Sequence, residues 1–347
     1  MPASRTRPWW VLPIILVGAV TMVAAGAAAV GMQLSIDKVN DSIADDDILG
    51  DARAELDTTN IEGPLNFLIL GVDKDQNGST RSDTMIIAHI NKDLDQAYLV
   101  SLPRDLLVEI DDCGNGVPCD SKLNSAAARF TEWEESEQNI LATVDNLTGI
   151  SFHGAVRANF NGFMDLVDLV GEIELCPWHE ITVEHGTKDT YPGECAMYGK
   201  EDVMSIVRER YAWGEQEDWA NGVGGDYGRQ KMQQQAIMGL LNAAKEQDFH
   251  KNPGKAVKML EGLGSNLVMD LGDAKFTDLV VALRDLDPDS LLRVRTPAET
   301  LEINGEDFEV MNPENGQLDS AEALWEALRE DTMDEWMADN EEWVHDD

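Results

Sequence analysis

The sequence predicts an α/β protein: a layered α-β-α domain around a mixed central sheet, preceded by one N-terminal transmembrane helix. Three observations predict it. Apolar runs with strand character follow one another between residues 66 and 102, helical patterns alternate with loops between residues 139 and 245, and one uncharged apolar segment precedes both. Alternating helix and strand patterns are typical of domains in which helices cover a sheet.

Composition limits both size and function. The chain has 347 residues and is 43% hydrophobic, which is enough for one large domain or two ordinary ones with a buried core. Its formal charge is −40, from 66 acidic and 26 basic residues. Such a field repels nucleic acid, so a nucleic-acid partner is excluded. A solvated acidic surface suited to salty surroundings explains the charge more simply than a dedicated cation-binding role.

The apolar segment at residues 8–31 predicts a membrane anchor. It carries no charge and is long enough to cross a bilayer as a helix. Arg5 and Arg7 precede it, so the positive-inside rule places residues 1–7 in the cytoplasm and the rest of the chain outside the cell membrane. A cleaved signal peptide is the alternative, although the segment exceeds the usual apolar length of such peptides. Residues 32–63 are polar and predict a stalk.

Four cysteines follow the anchor, where disulfides persist. Three pairings are open, and we prefer Cys113 with Cys119 and Cys176 with Cys195 because each bond then closes a polar loop. A zinc site is the alternative, but the spacings do not match short zinc-binding knuckles.

The compact domain is predicted at residues 64–330, followed by an acidic tail at residues 331–347. The predicted strands are residues 66–72, 84–90 and 97–102. The predicted helices are residues 139–147, 160–170, 200–207 and 226–245, and the domain ends in a further helix, SAEALWEALRE.

Opposite charges occur where the predicted strands begin and end. If residues 84–90 and 97–102 form a hairpin, antiparallel pairing places Asp83 beside Arg104. Asp73 ends the preceding strand and Arg81 returns from its loop. These charges, with Asp105, should therefore gather at one end of the sheet.

A second set of charged residues lies in VRERYAW and GGDYGRQKMQQQ. Arg208 and Arg210 come from the first, and Asp226, Arg229 and Gln233 share one helical face in the second. Arginine binds phosphate oxygens bidentately, and paired carboxylates hold Mg²⁺, so the two sets together predict a phosphate site with a divalent metal. A surface ion-pair network is the structural alternative.

These motifs resemble the LytR-CpsA-Psr (LCP) family of membrane-anchored envelope proteins. LGVD, RSDTMI, SLPRD, KLNSA, LTGI, NFNGFMDLVDLVG, VRER and DYGRQ occur in the family's order between about residues 65 and 245. The resemblance implies a phosphotransferase that moves a glycopolymer of teichoic-acid, arabinogalactan or capsule type from a polyprenyl-pyrophosphate carrier to peptidoglycan.

The resemblance also implies roles for individual residues. Asp73 and Asp83 resemble ligands of Mg²⁺, with Mn²⁺ as the alternative ion. Phe160, Phe163 and Val167 match a segment that lines the family's lipid pocket, although that face is equally a normal helix core. The residues that resemble the pyrophosphate-binding set are Arg81, Arg104, Lys122, Arg208, Arg210, Arg229 and Gln233.

The expected chemistry is proton transfer from a sugar hydroxyl to Asp83 or Asp105, with arginines such as Arg104 neutralising the phosphoryl charge. Two departures stand out: Met232 occupies a position where the family often has arginine, and residues 212–225 lengthen a loop. A phosphatase acting on pyrophosphate lipids and a non-catalytic lipid-binding protein are the alternatives. The sequence leaves the oligomeric state open.

Overall fold

The structure is a computed structural model that describes the following residues: 48–58, 60–74, 80–130, 132–184, 186–213, 225–246, 266–272, 274, 278–279, 282–283, 286 and 291–345. The predicted anchor lies outside these residues, as do residues 32–47 and 59 of the predicted stalk. The prediction of a stalk up to residue 63 was wrong, because Ile48, Leu49 and Ala52 are buried in the core of the domain. Within them, no helix combines the length and the apolar character that crossing a bilayer requires.

Six α-helices and fourteen strands are defined in the described part of the chain. The helices are α1 (Trp133–Thr148), α2 (Phe160–Val170), α3 (Lys200–Arg208), α4 (Gly225–Glu246), α5 (Gln317–Glu330) and α6 (Met333–Asp339). The strands are β1 (Leu65–Lys74), β2 (Thr80–Ile90), β3 (Ala97–Leu102), β4 (Leu107–Ile110), β5 (Cys119–Lys122), β6 (Gly154–Asn159), β7 (Ile173–Leu175), β8 (Ile181–Thr182), β9 (Thr190–Tyr191), β10 (Ala196–Tyr198), β11 (Leu267–Asp270), β12 (Leu291–Arg295), β13 (Glu299–Ile303) and β14 (Glu306–Val310).

Six strands form one mixed central sheet in the order β11-β6-β1-β2-β3-β12. β1 pairs with β2, and β2 with β3, in antiparallel fashion. β1 and β6 are parallel, as are β3 and β12, whereas β11 runs antiparallel to β6. The sheet therefore joins the predicted meander to strands that lie far away in the sequence.

Side-chain alternation along the strands separates two cores. On β1, Phe67 belongs to a core that α2, α3 and α4 complete, whereas Leu68 belongs to one that α1 and α5 complete. Both residues are fully buried. Because successive strand side chains point to opposite faces, the central strands pack against helices on both sides. The predicted layered α-β-α arrangement of the domain is confirmed.

Both predicted disulfides are present, Cys113 with Cys119 and Cys176 with Cys195. The predicted strands and helices also exist, and several of them are longer than predicted. β2 begins at Thr80, before the predicted residue 84, because its first residues pair with the end of β1. α1 begins at Trp133, six residues before the predicted start.

The predicted acidic tail needs correction, since most of it is packed onto the domain. Residues 333–339 form α6, and Trp336 and Trp343 are buried in the core that contains α5. Val344 forms a β-bridge with Val294 of β12. The burial of two large aromatic side chains outweighs the tendency of the surrounding acidic residues to remain in solvent.

Candidate active site at one edge of the sheet

One edge of the central sheet collects the ends of four strands. β1, β3, β6 and β12 run in the same direction and end there, and the antiparallel β2 begins there. Ligands of open α/β sheets bind most often outside the carboxyl ends of the strands. The charged residues predicted from the sequence lie at this edge.

Asp83 is the extra residue of a β-bulge in β2. Thr84 pairs with Gly71 and Ser82 pairs with Val72, which leaves Asp83 without a partner on β1. A Cβ atom on Gly71 would come within 2.7 Å of the Thr84 side chain, so the close approach requires glycine. Bulges re-aim side chains and are frequent beside active sites.

Arg104 lies directly after β3 and meets Asp83, as the predicted hairpin required. Its Nη1 contacts Asp83 Oδ1, and its Nε lies 3.2 Å from Asp105 Oδ2 and 3.8 Å from Asp226 Oδ1. Burial alone would lower the pKa of Arg104, but the carboxylates of Asp83, Asp226 and Asp105 outweigh burial and raise it. Arg104 is therefore a fixed positive charge among three carboxylates.

The carboxylate of Asp226, in the first turn of α4, has three guanidinium neighbours. Its Oδ1 lies 2.9 Å from Arg229 Nη2, 3.3 Å from Arg210 Nε and 3.8 Å from Arg104 Nε. Gln230 Nε2 donates a hydrogen bond of 3.1 Å to Oδ2. Burial raises the pKa of Asp226, but the three arginines together hold it below its ordinary value. Asp226 thus joins both charge sets predicted from the sequence.

Arg229 lies one helical turn after Asp226 and connects α4 to the bulge. Its Nη2 donates a hydrogen bond of 2.8 Å to the backbone oxygen of Asp83, and its Nη1 lies 4.0 Å from Asp83 Oδ1. Burial lowers the pKa of Arg229, and the Asp226 carboxylate opposes that effect. Asp226 therefore compensates most directly for an arginine residue that is only 4% exposed.

Arg210 owes its position to Glu209, which ends α3. The Glu209 carboxylate is buried, and its Oε1 accepts backbone hydrogen bonds from Arg210 at 2.7 Å, Tyr211 at 2.7 Å and Ala212 at 3.2 Å. Its Oε2 accepts another from Glu184 N at 2.8 Å. A buried carboxylate with four amide donors fixes the backbone that carries Arg210 and Tyr211.

Asp105 and Lys122 extend the charged set away from the bulge. Lys122 Nζ lies 3.2 Å from Asp105 Oδ1 and 3.0 Å from Glu306 Oε1. Arg210 Nη2 lies 3.6 Å from Asp105 Oδ2. Asp105 thus has three cationic neighbours when Arg104 is included.

The β13–β14 hairpin is fastened to this region through Glu309. Its backbone N–H donates a hydrogen bond of 2.9 Å to Asp105 O, and its buried carboxylate accepts one from Thr300 Oγ1 at 2.7 Å and one from Tyr227 Oη. Burial raises the pKa of Glu309, while these two hydroxyl donors oppose the rise. The hairpin, α4 and the Asp105 segment are thereby joined.

We call the seven charged residues around Asp226 the charged cluster: Asp83, Arg104, Asp105, Lys122, Arg210, Asp226 and Arg229. Four cations face three carboxylates, a formal excess of one positive charge in a protein with a net charge of −40. These ion pairs agree with the structural alternative, in which the charged residues only form an ion-pair network. However, a cavity of about 400 Å³ lies between the cluster and the β13–β14 hairpin, so these charges border a space that admits a ligand.

Other predicted site residues lie outside the cluster. The exposed Arg208 places its guanidinium 4.2 Å from the ring centroid of Phe160. It borders a separate cavity of about 310 Å³ with Met164 and Met204. Gln233 Nε2 lies 3.4 Å from the backbone oxygen of Val207, so Gln233 contacts the end of α3.

The remaining predicted site residues differ in how deeply they are buried. Val167 is fully buried in the core, and Phe160 and Phe163 are half-buried against it. Arg81 is exposed and pairs with Asp73 in the β1–β2 register. The side chain of Asp73 lies outside the described residues. No group of three or more His, Cys, Asp or Glu side chains in the described part of the chain is arranged to hold a metal ion.

The sequence placed Asp226 in the second charged set without an individual role, and no role was predicted for Glu209, Glu306 or Glu309. A signal existed for Asp226, because it lies one helical turn before Arg229. Glu209 lies between Arg208 and Arg210, and only these two arginines were predicted to bind phosphate. Glu306 and Glu309 belong to a hairpin that was not predicted.

Comparisons with known proteins agree with the family resemblance of the sequence motifs. The sequence model of the LytR_cpsA_psr family matches residues 29–324. The polyisoprenyl-teichoic acid–peptidoglycan teichoic acid transferase TagU of Oceanobacillus iheyensis is 28% identical over 242 residues, which cover 70% of this chain and 67% of that protein. The cell wall biosynthesis protein LcpA of Corynebacterium glutamicum is 27% identical over 281 residues, covering 75% of this chain and 52% of LcpA.

A solved structure of TagT bound to LIIa-WTA shares the fold. It superposes with a TM-score of 0.58 over 80% of this chain and 95% of that chain, at 20% sequence identity. The central mixed sheet with its flanking helices is therefore an architecture already observed in solved structures.

Proposed function

The chain belongs to the LytR_cpsA_psr family, and from this premise we propose that it transfers a glycopolymer from a polyprenyl-pyrophosphate carrier to peptidoglycan. The family resemblance inferred from the sequence is confirmed, and the relatives named above are transferases or cell-wall biosynthesis proteins. One observation carries the proposal: three arginines converge on Asp226 at the edge of a cavity in a strongly acidic protein.

The charged cluster supplies the chemistry that a pyrophosphate needs. Arg104 and Arg210 border the cavity. The nearly buried Arg229 does not border it but contacts Asp226, with which both other arginines pair. Guanidinium groups form charge-assisted, bidentate hydrogen bonds with phosphate oxygens. Arginines held in place by carboxylates need little reorganisation when negative charge develops during phosphoryl transfer.

Mg²⁺, or Mn²⁺ in its place, belongs to the same proposal. Asp83 fits a metal-binding role because the bulge re-aims its side chain, which remains 26% exposed beside Arg104. Asp73 pairs in register with Arg81 on the neighbouring strand and is the second proposed ligand. Mg²⁺ is commonly held by one or two carboxylates together with substrate phosphates. When bound, it would neutralise part of the phosphate charge.

The transfer step has a balanced form. The oxygen of an acceptor hydroxyl forms a bond to the phosphorus that carries the glycopolymer, and the bond from that phosphorus to the polyprenyl phosphate breaks. Polyprenyl phosphate leaves, and the hydroxyl proton passes to a carboxylate. We assign the proton to Asp105 rather than Asp83, because Asp105 borders the cavity and Asp83 is the proposed metal ligand.

The lipid part of the donor is assigned to the side of the edge where Arg208 lies over Phe160. The exposed guanidinium of Arg208 lies over the Phe160 ring, and Arg208 also borders the apolar cavity that Met164 and Met204 line. Phe163 and Val167 continue along α2 into the core, and a lipid would meet Phe160 and Phe163 first because both are partly exposed.

The proposal extends to location. Residues 8–31 would anchor the chain in the cell membrane with the domain outside, which agrees with the two disulfides. The full-length protein in detergent micelles, given a polyprenyl-pyrophosphate-linked glycan and peptidoglycan, should attach the glycan to peptidoglycan. Release of the glycan phosphate into water alone would identify a phosphatase, and donor binding without turnover would identify a lipid-binding protein.

A further inference from the structure

The 400 Å³ cavity has two chemically different walls. One wall is the charged cluster, through Arg104, Asp105 and Arg210. The opposite wall is the β13–β14 hairpin, which contributes the carboxylates of Glu306 and Asp307 and the ring of Phe308. Tyr211, whose surface is 55% exposed, also borders the cavity.

The hairpin wall is unsuited to a pyrophosphate. Glu306 and Asp307 are exposed carboxylates that repel an anionic group, although Lys122 compensates part of the Glu306 charge. An ionised carboxylate accepts hydrogen bonds but donates none, and hydroxyl groups meet that requirement. The rings of Phe308 and Tyr211 add apolar surface. A neutral molecule with many hydroxyl groups and apolar ring faces, which is a saccharide, matches both features.

Strand order separates the cavity from the proposed lipid region. Phe160, under Arg208, directly follows β6, whereas Asp105 lies shortly after β3. Three strand spacings of ~4.8 Å separate β6 from β3, about 14 Å along the sheet edge. The charged cluster lies between these two regions, so donor and acceptor would approach the phosphate from opposite sides.

The hairpin wall is held rigidly against the cluster. The turn at its tip, Asn304-Gly305, has positive φ values of 56° and 83°, which suit a tight two-residue turn. Glu306 is bound to Lys122, and the Glu309 backbone is bound to the Asp105 backbone. A ring bound between the walls would therefore meet the Asp105 carboxylate at a fixed position.

We propose that this cavity is the acceptor subsite and binds a hexosamine unit of a peptidoglycan glycan strand, with Tyr211 and Phe308 against the sugar ring and Asp307 accepting a sugar hydroxyl. This inference rests on the proposed transfer reaction, because it names the acceptor that the reaction requires. Tyr211 and Asp307 are assigned to acceptor binding, whereas the cations of the charged cluster are assigned to the donor.

The test compares Asp307→Asn and Tyr211→Ala with Glu302→Gln. Glu302 is the cross-strand partner of Asp307 on the same exposed hairpin but does not border the cavity, so its variant removes one charge without removing the proposed contact. Binding of soluble, uncrosslinked peptidoglycan strands to the full-length protein in micelles is measured by calorimetry. Acceptor KM is measured in the transfer assay, and farnesyl pyrophosphate affinity reports on the donor site.

We expect Asp307→Asn and Tyr211→Ala each to weaken strand binding and raise the acceptor KM about tenfold, with unchanged farnesyl pyrophosphate affinity. Glu302→Gln should match the wild type in all three measurements. Strand binding equal in the wild type and both cavity variants would overturn the subsite. Failure of the proposed function is distinct: the wild type would then bind strands without transferring glycan, and the binding comparison would still decide the subsite.

Discussion

Asp226 and Arg229 lie one turn apart on α4 and form an ion pair of 2.9 Å in which their side chains are only 11% and 5% exposed. Asp226→Asn should lower the free energy of unfolding by about 3 kcal/mol, because a nearly buried guanidinium would lose its main counter-charge. Urea denaturation of the full-length protein measures this loss. Asp319→Asn, an exposed first-turn acid of α5, is the matched control and should change stability by less than about 0.5 kcal/mol.

The same pair predicts a pH dependence. The folded-state pKa of Asp226 lies below its ordinary value, so its stabilisation is complete well above the unfolded pKa of about 3.9. That stabilisation is lost as the pH falls through the lower folded pKa. The stability difference between the wild type and Asp226→Asn should therefore shrink below about pH 4. A difference that stays constant from pH 6 to pH 3 would contradict the assignment of the charge to Asp226.

Tyr227→Phe should destabilise the protein more at pH 7 than at pH 4. Tyr227 Oη donates to the buried Glu309 carboxylate, whose pKa burial already raises. Without that donor the folded-state pKa of Glu309 rises further, and ionisation costs additional free energy once the pH exceeds the unfolded value of about 4.3. We expect a loss of about 1–3 kcal/mol at pH 7. Tyr198→Phe removes a hydroxyl that has no hydrogen-bond partner among the described residues and serves as the control. Equal losses for Tyr227→Phe at the two pH values would refute the prediction.

Two arginines in different regions provide a test of donor binding. Arg104→Ala and Arg208→Ala should each weaken farnesyl pyrophosphate binding by roughly 10- to 150-fold, since a charge-assisted hydrogen bond is worth ~1.5–3 kcal/mol. Calorimetric titration measures the affinity, with the exposed Arg129→Ala as the control for lost charge. Weakening by Arg104→Ala alone would remove Arg208 from the donor site. Unchanged affinity in both variants would favour a purely structural ion-pair network.

Sequence patterns within short segments were enough to predict the part of the site that lies on strands adjacent in sequence. The meander of β1, β2 and β3 follows from short apolar runs and turns, and antiparallel pairing then places Asp83 beside Arg104. Helix periodicity likewise placed Asp226 and Arg229 on one face of α4. These relationships are local in sequence or follow from one hairpin, so elementary geometry is enough to derive them.

Long-range pairings were not predictable in the same way. β12 pairs in parallel with β3 across nearly two hundred residues, and no local periodicity encodes that choice. The β13–β14 hairpin was missed although its Asn304-Gly305 turn is a recognised hairpin signal, because the flanking strands are rich in acidic residues. Its packing on the Asp105 segment creates the cavity, so the hairpin wall of the cavity could not be predicted from the sequence.

Topology and cysteine chemistry give a further prediction. Protein isolated from its native envelope and denatured without reductant should contain no free thiol, because Cys113 bonds Cys119 and Cys176 bonds Cys195. Mass spectrometry after alkylation measures this, and reduction before alkylation should expose all four thiols. A fusion partner that is active only outside the cytoplasm should function after residue 347. Four alkylated cysteines in the unreduced sample would contradict the extracytoplasmic assignment.

The last prediction separates metal binding from charge pairing at Asp83. Millimolar Mg²⁺, or Mn²⁺, should raise the melting temperature of the full-length protein, because a ligand selective for the folded state stabilises it. Asp83→Asn should abolish that shift, since an amide keeps the shape but lacks the charge that a hard cation requires.

The acidic surface makes the control decisive, because many carboxylates bind Mg²⁺ weakly and without specificity. Asp120→Asn removes an exposed carboxylate in β5 and should retain the full wild-type shift. All three proteins are compared at the same high ionic strength, where exposed charges are screened. Each shift is taken relative to the same protein without metal, which removes any stability change due to the lost Arg104 contact. If Asp83→Asn and Asp120→Asn show equal metal-dependent shifts, the stabilisation belongs to the general acidity of the chain and Asp83 is not a metal ligand.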